Sequence, residues 1–181
     1  KYLKSLEFAF KLSAKAGGSS VLFVHGSPRS ANEYLTESTH ELVLFERAAA
    51  GECDILVCGH THVPFARKVS GTMTVHASVG HQDASRAWKM NQAGEGARTI
   101  GLKPKLIVNA GSVGEPRHGG PEATYVLLDS KAAEVEIRKV NYAVRNTVEA
   151  MSRLGMPPIF GARLASGIEL ALKNKETACA C

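Results

Sequence analysis

Three short apolar segments, each with polar residues at its end, constrain the fold of this chain more than any other feature. The segments are residues 21–24, 54–58 and 105–109. The polar residues at their ends are His25, the pair His60 and His62, and Asn109. Apolar runs of this length are typical of strands that are covered on both faces, and α/β folds place their sites at the ends of such strands. We therefore predict an α/β protein in which these polar residues converge.

Weaker patterns predict further strands. The strict alternation of residues 6–12 is typical of a half-buried strand. Its apolar side carries Leu6, Phe8, Phe10 and Leu12. Two antiparallel pairs are predicted at residues 65–69 with 72–75, joined across Ser70-Gly71, and at residues 124–129 with 134–142, joined across Ser130-Lys131.

Capping patterns and helical spacing predict four helices. Two short helices follow from capping boxes, which are Ser30 with Glu33 and Ser38 with Glu41. Apolar residues repeat at helical spacing from Val144 to Leu154, and a last helix is predicted over residues 162–173. Residues 77–104, which contain the single Trp88, show no period and are predicted to form a long loop or insertion.

Length and composition exclude several classes of protein. A chain of 181 residues with 44% apolar residues forms one domain, which we place over residues 1–181. The formal charge of +5 comes from scattered basic residues, so we predict no stable nucleic-acid scaffold. The longest apolar runs are far shorter than the roughly 20 residues that span a bilayer, so we predict no membrane partner.

The four cysteines show no disulfide framework. Cys53 and Cys58 bracket a strand and are predicted to be small buried side chains, because an extended strand holds them beyond disulfide reach. Cys179 and Cys181 lie in a short tail where fraying is expected. This use of cysteine is typical of a reducing compartment, and we expect a cytoplasmic protein.

The histidines are candidate metal ligands. His60 and His62 are two residues apart, so both side chains point the same way if the turn is extended. Neutral imidazole is a suitable ligand for Zn, Mn, Fe or Ni, and imidazoles alone do not distinguish these metals. Three histidines at strand ends therefore favour a metal site over separate core or capping roles.

Three motifs resemble those of the calcineurin-like metallophosphoesterases, and of their bacterial phosphodiesterase branch in particular. They are His-Gly-Ser-Pro at residues 25–28, Gly-His-Thr-His-Val-Pro at 59–64 and Asn-Ala-Gly-Ser-Val-Gly-Glu-Pro-Arg at 109–117. The resemblance runs from about Leu6 to Leu172, with residues 77–104 unmatched. It implies an αββα sandwich of two mixed β-sheets flanked by helices.

The resemblance also implies a function. His25 and His60 would bind one divalent ion of a two-metal site and His62 would bind the other, while Asn109 and Arg117 would contact the substrate. Two such ions polarise a phosphate ester and activate a bound water for attack. Phosphodiesters, phosphomonoesters and nucleotides are the implied substrates, and which of them is used is left open.

The chain departs from the family pattern in its carboxylates. The family's Asp-x-His, Gly-Asp-x-x-Asp and Gly-Asn-His motifs are absent, and the three aspartates, Asp54, Asp83 and Asp129, fit none of them. The bridging carboxylate, the Asn ligand and the catalytic His are therefore missing from these residues.

The start of the chain suggests where the missing groups belong. The sequence begins at Lys1 and not at Met, and we expect the catalytic His and the other missing ligands to lie upstream of Lys1. We therefore expect the chain to be the C-terminal part of a domain incomplete at its N-terminus. Such a chain would be inactive alone, with the missing N-terminal segment as its partner and an apolar edge exposed.

Other interpretations remain open. A non-catalytic scaffold that binds a protein partner would also lack the carboxylates. A single-metal site with three histidine ligands and a water is a third possibility. Glu33 or Glu115 could replace the missing carboxylate, Arg29 could grip phosphate together with Arg117, and Trp88 could belong to a lid. The oligomeric state is left open.

Overall fold

The structure is a computed structural model that describes residues 2–13, 17–76 and 97–168. The strands are β1 (Ala9–Leu12), β2 (Val21–Val24), β3 (Ile55–Cys58), β4 (Phe65–His76), β5 (Ala97–Asn109), β6 (Ala123–Asp129) and β7 (Glu134–Val140). The helices are α1 (Glu41–Ala50), α2 (Val144–Arg153) and α3 (Pro158–Ser166), and a short 3-10 helix spans Tyr2–Ser5. Lys1, Cys179 and Cys181 lie outside the described residues.

The three predicted apolar strands are neighbours in one five-stranded sheet of order β1-β2-β3-β5-β4. β2, β3 and β5 pair in parallel, and β1 and β4 flank them as antiparallel edge strands. Because parallel strands end at the same edge of a sheet, the three polar turns start side by side. The register of Cys58 opposite Asn109 brings the last two of them level.

Both faces of this sheet are covered. On one face, α1 packs through the fully buried Leu44 and Ala48 against a core cluster from β2, β3, β4 and β5. On the other face, a second sheet of β6 and β7 packs through Val126, Leu128 and Val135. The predicted pairing of β6 with β7 and the two-sheet sandwich with helices are confirmed. In the described part of the chain, only the first sheet is mixed.

The prediction of two helices between residues 30 and 51 is wrong. Only α1 forms there, and its N-cap is His40, whose side chain accepts a hydrogen bond from the Leu42 N–H. Residues 30–39 form turns, in which Ser27 Oγ accepts the N–H of Ser30. Glu33 does not cap a helix, because its carboxylate is bound by Arg47 at 2.7–2.9 Å.

The last helix also differs from its predicted bounds of residues 162–173, of which residues 169–173 lie outside the described part of the chain. α3 starts at Pro158, which sits at the first helical position, where its missing N–H costs nothing. It ends at Gly167, whose φ of 62° is the left-handed conformation that terminates helices. In the described residues, no helix is long and apolar enough to cross a membrane.

The predicted hairpin at Ser70-Gly71 is wrong, because β4 runs through these residues as one strand. Its register with β5 shifts between Val69 and Gly71, so this local pattern marks a bulge. Gly71 lies so close to the Phe45 ring of α1 that a Cβ there would be 3.0 Å from it. The predicted loop is shorter than expected, since residues 97–104 belong to β5, and residues 77–96 lie outside the described part.

The apolar side of the first predicted strand is exposed and not half-buried. Leu6, Phe8, Phe10 and Leu12 have exposed fractions of 54%, 54%, 57% and 46%. β1 is an edge strand, and the β6–β7 sheet packs against clusters centred on β2, β3 and β5. We call these four side chains the apolar face of β1.

Asp54 ties the start of the parallel strands together. Its carboxylate accepts hydrogen bonds from the Ser20 N–H and hydroxyl, both at 3.0 Å, and pairs with Lys103 at 2.9 Å and Lys105 at 3.6 Å. The Lys103 ammonium, followed by the Ser20 N–H, holds the pKa of the Asp54 carboxyl well below its usual range.

We predict that Asp54→Asn lowers the free energy of unfolding at pH 7 by about 2 kcal/mol, because hydrogen bonds to a charged group are lost. The folded-state pKa is depressed, so this stabilisation is complete above the unfolded pKa of about 4. It decreases as the pH falls below that value and is lost as the pH falls through the folded-state pKa, so it is smaller at pH 3 than at pH 7. Urea unfolding at pH 7 and pH 3 measures the difference. The exposed Glu52→Gln serves as a control with an expected change below about 0.5 kcal/mol, and a deficit for Asp54→Asn that is equal at both pH values would contradict the account.

Candidate metal centre

The candidate site lies at the edge where β2, β3 and β5 end. His25 directly follows β2, His60 follows β3 after Gly59, and Asn109 is the last residue of β5. The Gly59 N–H donates to the His25 carbonyl at 2.9 Å, which joins the first two turns. The predicted convergence of these turns is therefore a consequence of parallel strand pairing.

His25 and His60 approach each other through their ring nitrogens. Nε2 of His25 lies 3.0 Å from Nδ1 of His60, and the rings meet edge to face with centroids 4.8 Å apart. Two ring nitrogens bound about 2.1 Å from one metal ion at an angle of about 90° would also lie about 3.0 Å apart. In the structure the two nitrogens form a hydrogen bond with each other, and their spacing is also compatible with neighbouring positions around a single ion.

His62 is held with its other nitrogen open. Its Nδ1 lies 2.7 Å from the carbonyl oxygen of Glu115, which only accepts, so Nδ1 carries the proton and donates it. Nε2 of His62 therefore keeps its lone pair. A backbone carbonyl that fixes the tautomer in this way is the usual support of a metal-binding histidine.

The turn that carries His60 and His62 is strained. Both residues have positive φ, 64° and 59°, in the left-handed region that non-glycine residues avoid. Such a conformation persists only where the surroundings fix it, and it is common at functional sites. Here the Asn109 amide fixes it, donating to the Gly59 carbonyl at 2.7 Å and to Thr61 Oγ1 at 3.0 Å.

This geometry changes the role expected for Asn109. The residue is fully buried, and its Oδ1 accepts the Gly111 N–H at 2.9 Å. Both ends of its amide are therefore engaged within the protein, so Asn109 positions the histidine turn, and its contact with a substrate stays a prediction. The sequence indicated a polar residue at the right strand end but could not show where its amide points.

Arg117 lies beside His62, as the sequence suggested. Its N–H donates to the His62 carbonyl at 3.1 Å, and its guanidinium lies 3.6 Å from the Glu115 carboxylate. With its side chain 17% exposed, Arg117 is held within reach of the edge that carries the histidines. Arg29 was the second candidate for binding phosphate, and its guanidinium pairs with the carboxylate of Glu46 instead.

The described residues do not complete a metal site. No group of three His, Cys, Asp or Glu side chains that could hold an ion occurs among them, so the geometry does not support a single-metal site with three histidines. Glu33 is not the replacement carboxylate, because Arg47 binds it and lowers its pKa. The Glu115 carboxylate faces Arg117. The further ligands and the catalytic histidine expected upstream of Lys1 stay a prediction.

Tyr34 is a residue of the site that the sequence analysis did not identify. Its ring centroid lies 4.3 Å from that of His60, and the side chain is 55% exposed. The next residue, Leu35, is 1% exposed and anchors the segment in the core. The only signal in the sequence was a tyrosine directly before a leucine, within the segment that the capping pattern of Ser30 and Glu33 predicted to be a helix.

Comparison with known proteins agrees with the fold. Residues 4–133 match the calcineurin-like phosphoesterase superfamily domain. An uncharacterised protein of Methanocaldococcus jannaschii is 28% identical over 169 residues, which are 92% of this chain and 59% of that protein.

Two solved structures share the fold. One is a metallophosphoesterase from Sphaerobacter thermophilus, with a TM-score of 0.62 and 24% identity, covering 92% of this chain and 62% of that one. The other is a hypothetical protein from Pyrococcus horikoshii OT3, with a TM-score of 0.62 and 17% identity, covering 93% and 54% respectively. The chain therefore spans less than two thirds of the length of these proteins.

We predict that Asn109→Ala lowers the free energy of unfolding by about 2–3 kcal/mol, because it leaves the Gly59 carbonyl and the strained turn without their donor. Urea unfolding measures the change. Asn146→Ala, an exposed substitution on α2, is the matched control and should change the value by less than about 0.5 kcal/mol. Equal stability of the two variants would show that Asn109 does not hold the turn.

Proposed function

The chain belongs to the calcineurin-like phosphoesterase superfamily, and from this premise we propose that it forms part of a metal-dependent phosphoester hydrolase. The family generally uses divalent metal ions. In the proposal, His25 and His60 bind one ion and His62 binds a second, with Mn, Fe, Ni and Zn as the candidate metals. The substrate is a phosphodiester, phosphomonoester or nucleotide.

One observation carries this proposal. The 3.0 Å approach of His25 Nε2 to His60 Nδ1 combines a ligand-like spacing with a strained backbone at the carboxyl ends of parallel strands. A structural role would be met by one histidine with an ordinary hydrogen-bond partner. Positive φ at His60 and at His62 destabilises the folded state by about 1–3 kcal/mol each. Such a cost is expected where the backbone has to orient two imidazoles towards ligands.

When bound, two divalent ions polarise the ester phosphate and make hydroxide available near neutral pH. The residues of this chain prepare that chemistry. The Glu115 carbonyl keeps the His62 tautomer with a free Nε2, and Asn109 fixes the turn between His60 and His62. In the proposal, Arg117 binds the phosphate, because guanidinium matches phosphate oxygens with two parallel hydrogen bonds.

In the proposal, the carboxylates of the site come from additional polypeptide. Two neighbouring cations repel each other strongly, and a shared carboxylate offsets this repulsion. Among the described residues, the carboxylates of Glu33 and Glu115 face arginines and no bridging carboxylate faces the histidines. In the proposal, the isolated 181-residue chain is inactive, and polypeptide upstream of Lys1 supplies the bridging carboxylate and the catalytic histidine.

The apolar face of β1 supports this part of the proposal. Four large apolar side chains are exposed, Phe10 and Leu12 on the edge strand β1 and Leu6 and Phe8 just before it, which is typical of a surface that another segment covers. The relatives contain polypeptide that this chain does not match, since it spans 54–62% of their length. We assign that additional polypeptide, the missing N-terminal segment expected from the sequence, as the partner that covers this face.

The cysteines bear on the compartment. Cys53 and Cys58 are free and buried, and burial raises the pKa of Cys53 to about 11 and that of Cys58 to about 12. Such thiols are unreactive core residues, as the sequence predicted. Free thiols suit a reducing compartment, so the proposed location is the cytoplasm.

We predict that His60→Ala in the full-length protein lowers kcat/KM for bis(4-nitrophenyl) phosphate by about 100-fold or more, because one metal ion loses a ligand. Elemental analysis should show the loss of one bound ion per chain. The steady-state assay and the metal content are measured on the same samples.

His40→Ala is the matched control, because His40 caps α1 and its exposed side chain accepts only the Leu42 N–H. It should keep both metal content and activity while losing about 1 kcal/mol of stability. A folded full-length protein that binds metal but hydrolyses no phosphoester, or that binds none, would instead support the non-catalytic scaffold.

We predict that Phe10→Thr lowers the free energy of unfolding of the full-length protein by about 2 kcal/mol, because a covered aromatic side chain is lost. Leu154→Thr, at a leucine that is 80% exposed, should change it by less than about 0.5 kcal/mol. Denaturant unfolding of both variants measures the contrast. If Phe10 tolerates threonine as well as Leu154 does, the apolar face of β1 is not covered.

A further inference from the structure

A cavity of about 420 Å³ lies directly beside the histidine turn. Its walls are Thr36, Glu37, Ser38, Val63 and Phe65. One wall continues from Tyr34, whose ring contacts His60, and the other continues from His62 through Val63. The chain therefore connects the cavity walls to Tyr34 and to His62 within two residues. The volume is within the range of about 300–1,000 Å³ typical of small-molecule sites.

The cavity wall is held in place. Arg67 on β4 donates to the carbonyls of Glu37 and Thr39, each at 3.0 Å. Thr36 adds a hydrogen bond from its N–H to Thr39 Oγ1 at 2.9 Å. The turn at residues 36–39 is thereby fixed to the sheet, so the cavity is built before a ligand arrives and little ordering cost remains for binding.

The chemistry of the walls is selective. Val63 and Phe65 form an apolar surface. The hydroxyls of Thr36 and Ser38 are hydrogen-bonded to each other at 3.0 Å, and each keeps acceptor capacity for a ligand. Glu37 adds a carboxylate, which repels a second anionic group and accepts hydrogen bonds from ligand hydroxyls. These walls favour an uncharged group that combines apolar surface with hydroxyls.

Tyr34, two residues before the Thr36 wall, offers a stacking surface. One part of its ring contacts His60 at a centroid distance of 4.3 Å, and the side chain remains 55% exposed. An aromatic ring fixed in this way provides a flat platform for a planar group. No charged group is needed for such stacking, which again favours a neutral ligand.

We propose that this cavity and the Tyr34 ring together bind the uncharged, ring-bearing alcohol part of the phosphoester. This inference rests on the proposed function for its place in a reaction, because the phosphate would lie at the histidines. Tyr34 is the specificity-determining residue, and Glu37 excludes substrates with a second anionic group in this position.

Adenosine tests the proposal, because it combines a planar ring with hydroxyls and carries no phosphate. Its binding to the full-length protein is measured by calorimetric titration without added metal. We expect Tyr34→Ala to weaken adenosine binding by about 5- to 100-fold, the range for loss of base stacking on an aromatic side chain. Tyr34→Phe keeps the ring and should bind within about twofold of the wild type.

Val63→Trp is a second test, because a tryptophan side chain at this position, where valine is 39% exposed, would fill the cavity. It should also abolish adenosine binding. The proposal is overturned if adenosine does not bind the wild type, if Tyr34→Ala binds it normally, or if Tyr34→Phe loses it. Adenosine binding without phosphoester hydrolysis would contradict the proposed function and leave the cavity assignment intact.

Discussion

Parallel pairing of β2, β3 and β5 is the constraint on which the rest of the structure depends. Its register sets Phe23 beside Val57 and Cys58 beside Asn109, so the chain leaves all three strands at one edge. Packing on both faces fixes this register, because a shift of one residue in a strand would exchange the side chains that pack against α1 with those that pack against the β6–β7 sheet. The polar turns owe their proximity to this pairing and need few direct contacts with one another.

The same core stabilises a strained edge. Left-handed φ at His60 and His62 is unfavourable, and it is held by Asn109, which is itself the last residue of a buried strand. Behind Asn109, Gly111 has a φ of 74° and packs so closely on Thr124 that any Cβ would clash with the hydroxyl. The close packing of Gly111 on Thr124 thus helps to position Asn109, which holds the histidine turn. This gives a physical reason for the Asn-Ala-Gly sequence at residues 109–111.

The sequence predicted the elements whose signals are local. Continuous apolar runs predicted β2, β3 and the end of β5, and two strand-like runs joined across Ser130-Lys131 predicted β6 with β7. It failed where a distant contact decides the structure. Glu33 pairs with Arg47, fourteen positions away, and therefore does not cap a helix. Ser70-Gly71 forms a bulge against the Phe45 ring, although the local sequence suggested a turn. The stacking of Tyr34 on His60 is of the same kind, because no local pattern encodes it.

Anomalous scattering from crystals of the full-length protein grown with Mn²⁺ tests the central claim most directly. The account predicts two peaks, one at about 2.1–2.3 Å from both His25 Nε2 and His60 Nδ1, and one at a similar distance from His62 Nε2. A carboxylate from outside these 181 residues should lie between them. Absence of a peak at the first pair, with the two rings hydrogen-bonded to each other instead, would contradict the account.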